Sequence, residues 1–125
     1  MAASPSCRWS VVIPAFDEEA RLPAYLRDVV GYFDSRGEPY EVIVVDDGSA
    51  DATSAKVREI EALHASVRLT RFEQNHGKGY AVKAGMAMAR GALRLMTDAD
   101  GATPITEVKR LEAAIERGAD RKSVV

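Results

Sequence analysis

Two aspartates flank a single small residue at Asp98-Ala99-Asp100, one threonine after the apolar pair Leu95-Met96. At positions i and i+2 of an extended chain both carboxylates point to the same side. Left unpaired they repel each other, and a divalent cation removes that conflict. Hard oxygen ligands, few in number and with room left for water and phosphate oxygens, suit Mg²⁺ or Mn²⁺ better than Zn²⁺. The competing reading is that short acidic turns merely cap helices, which for an isolated Asp-Ala-Asp is the commoner outcome. The residues at the other strand ends tip the balance towards a cation site.

Asp46-Asp47-Gly48-Ser49 closes another β-rich run. A carboxylate at such a strand end can accept a hydrogen bond from a ribose hydroxyl or a base N–H. Alternatively Ser49, Asp51 or Thr53 caps the next helix and the two aspartates are only solvated. Both hold together if Asp47 binds a ligand while Asp51 or Thr53 caps. The stretch Asn75-His76-Gly77-Lys78-Gly79 is phosphate-friendly: its glycines permit close backbone approach, a helix N-terminus follows, and Lys78 adds positive charge. It lacks the spacing of a Walker loop or a dinucleotide fingerprint. His76 reads as a solvated loop residue and His64 as a solvated or capping one. Met86, Met88 and Met96 read as core filling.

The elements that must position these residues alternate between β-rich and helical stretches. Trp9 to Ile13 is an apolar run ended by Pro14, as expected of a buried strand. Leu22, Leu26, Val29, Val30 and Phe33 recur at spacings of three and four, which predicts a helix over 19–35 ended by Gly37. Strands are expected over 41–45, 67–72 and 92–97, and helices around Val57 to Leu63, over 80–90 and over 105–117. Four β-then-α units imply an α/β fold: a parallel sheet with right-handed crossovers and helices on both faces. In open α/β sheets ligands bind outside the carboxyl ends of the strands. The segments that follow the four strands are PAFDEE, DDGSAD, EQNHGKG and DADGATP, so they are expected to converge on one site. A cation, a phosphate-friendly loop and acids able to hold a sugar or base together suit a nucleotide diphosphate.

At 125 residues the chain amounts to one domain at most, and 46% hydrophobic with 29% charged residues is ordinary for a globular chain. A net charge of −2 offers no basic footprint for nucleic acid. The single cysteine, Cys7, excludes an internal disulfide and a multi-cysteine zinc site and reads as an incidental thiol near the N-terminus. No apolar run approaches the roughly 18 residues of a membrane span, and no signal peptide is evident. The expectation is a cytoplasmic, reducing environment. Residues 1–7 read as a disordered lead-in and 8–120 as the folded unit.

Together the four loops resemble the N-terminal, nucleotide-binding half of family 2 glycosyltransferases with the Rossmann-like GT-A fold. The resemblance is carried by VVIPAFDEEARL (11–22), VIVVDDGSADAT (42–53), NHGKGYAVKAGMAMARG (75–91) and LMTDADGAT (95–103). Within that family it is similar to the dolichyl-phosphate glucosyltransferase and polyprenyl-phosphate mannosyltransferase subgroup. The resemblance implies that Pro14, Phe16 and Glu18 line the nucleotide pocket and that Val45 and Asp47 contact base and ribose. It also implies that Asp98, Ala99 and Asp100 form the metal-and-diphosphate motif, with Asp98 and Asp100 as ligands to Mg²⁺ or Mn²⁺ and Asp100 foremost. Lys78 is added from the chemistry of its loop. Phe16-Asp17 stands where the family usually has Tyr-Asn.

The implied reaction is a metal-dependent, inverting transfer of a hexose from UDP-glucose or GDP-mannose to a polyprenyl or dolichyl phosphate, or to another acceptor. A lipid acceptor implies peripheral association with the cytoplasmic membrane face. Beyond Asp120 the family continues into another apolar strand and an acceptor half, and RKSVV does not supply that strand. Residues 121–125 therefore read as a truncated or divergent end, and no residue of the 125 is a candidate general base. One rival is a nucleotide- and metal-binding unit without turnover of its own. A nucleotidyltransferase would place a glycine-rich, basic loop after the first strand, where this chain has the acidic PAFDEEARL.

Overall fold

The computed structural model describes residues 7–117. Four strands, β1 (Cys7–Ala15), β2 (Tyr40–Asp46), β3 (Val67–Arg71) and β4 (Gly91–Met96), pair in parallel in the order β3-β2-β1-β4. They alternate with α1 (Leu22–Arg36), α2 (Thr53–Leu63) and α3 (Lys78–Met88); a short 3₁₀ turn (Ile105–Glu107) and α4 (Val108–Glu116) follow β4. The chain steps outward from β1 to β3, then returns across β1 to place β4. Right-handed crossovers in opposite directions put their helices on opposite faces. Accordingly α1 and α2 cover one face, with α4 beside them, in a core that includes Val11, Ile13, Leu26, Val29, Phe33, Val42, Val44, Val57 and Leu95. The crossover helix α3 lies on the other face over Ile43 and Val45.

Local chemistry sets the element ends, and several differ from the sequence expectation. β1 runs through Pro14 to Ala15 instead of stopping at the proline. Val12 accepts a hydrogen bond from the Thr97 amide on the β4 side, so Pro14, two residues on, faces the same side. β4 has already ended there, its last pair being Val12 with Met96, so the missing proline N–H has no ladder bond to lose. α1 begins at Leu22, with proline in its first turn, and Gly37 closes it at φ 72°. The expected helix over 105–117 divides into the 3₁₀ turn and α4. Cys7 opens β1 opposite Gly91 instead of belonging to a loose lead-in. The rest of that lead-in, residues 1–6, and the end at 121–125 lie outside the described residues.

Two buried polar networks hold the sheet. Asp46, fully buried, accepts hydrogen bonds from the Ser49 amide (2.9 Å), the Ser54 hydroxyl and Arg71 (3.4 Å). The reading of Asp46 as a solvated carboxylate is thereby corrected. At the opposite end of the sheet Glu41 accepts from Ser10 (2.5 Å), the Arg90 amide (2.6 Å) and Arg68 (2.6 Å). Burial pushes the Glu41 carboxyl upward, and these three donors outweigh it, so the net shift is downward. The methionines are less central than expected. Met86, Met88 and Met96 are only partly buried, Met88 packing at the margin of the α3 cluster. His64 caps α2: its amide donates to Ile60 and its carbonyl accepts from Val67.

Candidate functional site

The reversal of strand order between β1 and β4 leaves a crevice outside their carboxyl ends, the position where open α/β sheets bind ligands. A cleft of about 480 Å³ lies there, lined by residues from all four strand-end loops. Pro14, Phe16 and Glu18 come from the first loop, Asp47 from the second, Lys78 from the third, and Asp98, Ala99 and Asp100 from the fourth. The convergence expected from the sequence is therefore present. Val45 is the exception. It is fully buried in the α3-side cluster and does not line the cleft, so its place beneath the floor replaces the expected contact with base and ribose. Asn75, Gly77, Ala15 and Ala81 also line the cleft. Asn75 and Gly77 belong to the phosphate-friendly loop; Ala15 and Ala81 lie in the segments that carry the family resemblance, but their small side chains gave no separate chemical signal.

The first two loops are laced together. The Asp17 amide donates to Ser49 Oγ (2.9 Å), the Glu18 amide to Thr53 Oγ1 (2.9 Å) and the Glu19 amide to Asp51 Oδ2 (3.3 Å). In return Asp17 Oδ1 accepts from the Ala50 amide (2.9 Å). Thus Ser49 and Thr53 bind the neighbouring loop, and of the three candidate caps only Asp51 serves α2, accepting from the Thr53 amide at 2.9 Å. Asp17 sits at φ 51°, a left-handed conformation that Asp and Asn tolerate better than other non-glycine residues. That shared tolerance explains how Asp17 can replace the family's usual Asn. Glu18 is clamped by Arg21 through two hydrogen bonds (2.9 and 2.7 Å). Phe16 stands at the mouth of the cleft with 46% of its surface exposed.

Asp47 performs a task not foreseen from the sequence. Its two carboxylate oxygens accept the amides of His76 (2.8 Å) and Gly77 (2.9 Å), so it pins the loop that leads into α3 from another loop. α3 begins at Lys78, two residues before the expected start. Gly48, at φ 80°, lies so close to the third loop that a Cβ would meet the Gln74 carbonyl carbon at 2.8 Å and the Asn75 nitrogen at 2.9 Å. His76 is an exposed loop residue, as expected, stacked on Tyr80 at 4.6 Å between ring centres.

The acidic turn forms the opposite wall. Asp98 and Asp100 are both exposed, while Ala99 between them is buried. Asp98 is ion-paired with Lys78, and Asp100 accepts the Ala102 amide (2.9 Å). The repulsion between the two carboxylates is therefore partly relieved by Lys78. Behind the turn Tyr25 of α1 is buried, its hydroxyl 2.7 Å from Thr97 Oγ1 and 3.0 Å from the Thr103 carbonyl. Burial pushes the Tyr25 phenol upward, and the nearby Asp100 and Asp98 push it further against the Thr97 hydrogen bond. It thus keeps its proton at neutral pH.

The donor set fits a hard cation that shares its shell with a ligand. Among the described residues no group of three or more His, Cys, Asp or Glu side chains gathers to hold an ion alone. Asp98 and Asp100 supply two carboxylates facing the cleft, which leaves positions for phosphate oxygens and water, as Mg²⁺ and Mn²⁺ prefer. Among the described residues no helix is long and apolar enough to cross a membrane.

Known proteins resemble this chain in sequence and in fold. The chain is 43% identical over 121 residues to a dolichyl-phosphate beta-glucosyltransferase of Drosophila melanogaster and 40% identical over 119 residues to that of Homo sapiens. These matches cover 91% and 90% of this chain, which spans only 37% of the length of each relative. Among solved structures, the mannosyltransferase PcManGT from Pyrobaculum calidifontis, in complex with GDP-Man and Mn²⁺, superposes with a TM-score of 0.67 at 26% identity. That match covers 95% of this chain and 35% of PcManGT, and the shared sheet is that of the GT-A fold. Residues 10–121 match the family model described as glycosyl transferase family 2, and the chain belongs to that family.

Proposed function

We propose that this chain provides the nucleotide-sugar site of a hexosyltransferase that moves a hexose from UDP-glucose or GDP-mannose to a polyprenyl or dolichyl phosphate. The observation that carries the reading is the convergence of four strand-end loops on one cleft with Lys78, Asp98 and Asp100 together on its walls. Phe16 offers a flat apolar face at the cleft mouth, suited to stacking against a base or sugar ring. Asp47, fixed by two amides, keeps further lone pairs directed at the cleft for a ribose hydroxyl or base N–H. Lys78 is placed to bind a diphosphate oxygen once it leaves Asp98. Asp98 and Asp100 would hold Mg²⁺ or Mn²⁺. When bound, that ion neutralises charge on the diphosphate and makes it a better leaving group.

In the proposed transfer an acceptor phosphate oxygen attacks the anomeric carbon from the face opposite the diphosphate, giving inversion. A lipid-borne acceptor would bring the protein to the cytoplasmic face of a membrane as a peripheral partner. Calorimetry with UDP and with GDP, each in Mn²⁺, tests the binding half of the proposal. D98A and D100A are expected to weaken the Mn²⁺-dependent affinity by about tenfold or more, the equivalent of one charge-assisted contact. Unchanged affinity in both variants would remove the site assignment. The second reading is binding without turnover; the chain spans 37% of the length of the relatives it matches. Glucose transfer from UDP-glucose to dolichyl phosphate, measured for the chain beside a full-length relative, separates the two.

A further inference from the structure

We infer that Tyr25 is a positioning residue for the acidic turn, setting Asp98 and Asp100 from behind through the first helix. The turn leaves the sheet at Thr97, whose amide is the last to bond β1 (3.0 Å to the Val12 carbonyl), and ends near Thr103. Tyr25 bonds both points: Thr97 Oγ1 at 2.7 Å and the Thr103 carbonyl at 3.0 Å. A carbonyl can only accept, so the phenol proton goes to Thr103 and the Thr97 hydroxyl donates to the phenol oxygen. Between those ends the turn lies against the ring itself. Gly101, at φ 72°, approaches so closely that a Cβ would stand 3.1 Å from Tyr25 Cδ1. The ring and hydroxyl together thus fix the base and the far end of the turn.

The exposed part of the turn has little else to hold it. Asp98 reaches Lys78 across the cleft, Asp100 folds back on the Ala102 amide, and both side chains are exposed. Tyr25 itself is 6% exposed, with the buried Thr97 beside it, so the Thr97 hydrogen bond is sheltered from competing water, while the one to the exposed Thr103 is part-buried. Tyr25 also sits one turn into α1, the helix that emerges from the loop bearing Phe16 and Glu18. One helix therefore connects the first loop of the cleft to the fourth, and the placement of the cation ligands follows from it. The phenol never faces the cleft, so its part is to position the turn and not to touch a ligand.

The inference rests on the proposed cation site, and the experiment separates the two. Affinity for UDP and GDP is measured by calorimetry with Mn²⁺ and with EDTA for the unaltered chain, Tyr25→Phe, Thr97→Val and Asp100→Ala. Tyr25→Phe keeps the ring and removes the hydroxyl. It is expected to reduce the gain in affinity from Mn²⁺ by roughly three- to tenfold, the scale of one or two net hydrogen bonds. The EDTA affinity should stay within about twofold, since the first and second loops keep their own lacing. Thr97→Val should act in the same direction. An equal fall in Mn²⁺ and EDTA, accompanied by a lower Tm, would mean a merely structural role and would overturn the inference. An unchanged Mn²⁺ gain in Tyr25→Phe would overturn it as well. If Asp100→Ala also leaves the Mn²⁺ gain intact, the cation site itself is wrong and the inference falls with it.

Discussion

Gly85→Ala tests how closely α3 is seated on the sheet. A Cβ at Gly85 would stand 2.4 Å from Val12 Cγ1 and 3.2 Å from Val45 Cγ2. Carbon atoms in ordinary contact are about 3.5–4.0 Å apart, so α3 or Val12 must give by roughly 1 Å. On helix propensity alone the substitution would stabilise by about 1 kcal/mol. Overpacking of this kind costs about 1–3 kcal/mol, so the net effect should be a loss on the order of 1 kcal/mol. The sign decides between seated and loosely placed helices. Urea unfolding gives the stability, and the same substitution in a Val12→Ala background gives the coupling. Without Val12 Cγ1 the severe contact is gone and only the 3.2 Å approach to Val45 Cγ2 remains, so Gly85→Ala should recover much of its gain of about 1 kcal/mol. Because α3 carries Lys78 and Ala81 on the cleft wall, the single variant should also weaken UDP or GDP binding. A Gly85→Ala chain that gains about 1 kcal/mol in both backgrounds would refute the close seating of α3.

Two other outcomes are expected. Gly48→Ala should destabilise by at least about 1–2 kcal/mol from its left-handed backbone alone, with the third loop pushed aside in addition; a Tm equal to that of the unaltered chain would contradict the contact. Glu41 has a folded-state pKa below its ordinary 4.5, so its stabilising effect is complete above that value and is lost as pH falls through the lower one. Unfolding midpoints followed from pH 7 to about 3 should therefore drop less steeply on the acid side in Glu41→Gln; parallel curves would show that Glu41 does not contribute to the acid limb.

Much of this architecture can be read from residue order. Runs such as Glu41-Val42-Ile43-Val44-Val45 are buried on both faces, which parallel strands between helices require, and their β-branched composition reveals them. The rule that ligands sit at carboxyl ends then brings Phe16, Asp47, Lys78 and Asp98 to one edge without knowledge of the strand order. What escaped the sequence depends on contacts between distant loops. Asp47 pins the loop before α3 through the amides of His76 and Gly77, 29 and 30 residues onward, and no local pattern encodes that. Ser49 and Thr53 look like caps because their own helix is adjacent, yet the first loop takes both hydroxyls. Tyr25 is not among the apolar positions whose spacing marks α1, and its part emerges only where its hydroxyl meets Thr97 and Thr103. Val45 illustrates the reverse: a strand-end residue assigned to a ligand by resemblance points into the helix-covered face instead.

The stagger of the sheet has its own consequence. β1 pairs with β2 as far as Ala15, whereas its last pair with β4 is at Val12, three residues earlier. At about 3.3 Å per residue the sheet ends in a step roughly 10 Å high. The cleft is the space above that step, created by a strand that stops short and not by small side chains in a continuous wall. Its size therefore belongs to the backbone, and its chemistry to the few side chains at its edges. Substitutions at Phe16, Lys78 or Asp100 can change what is held there while the room itself stays, so one sheet can serve different donors with little rebuilding.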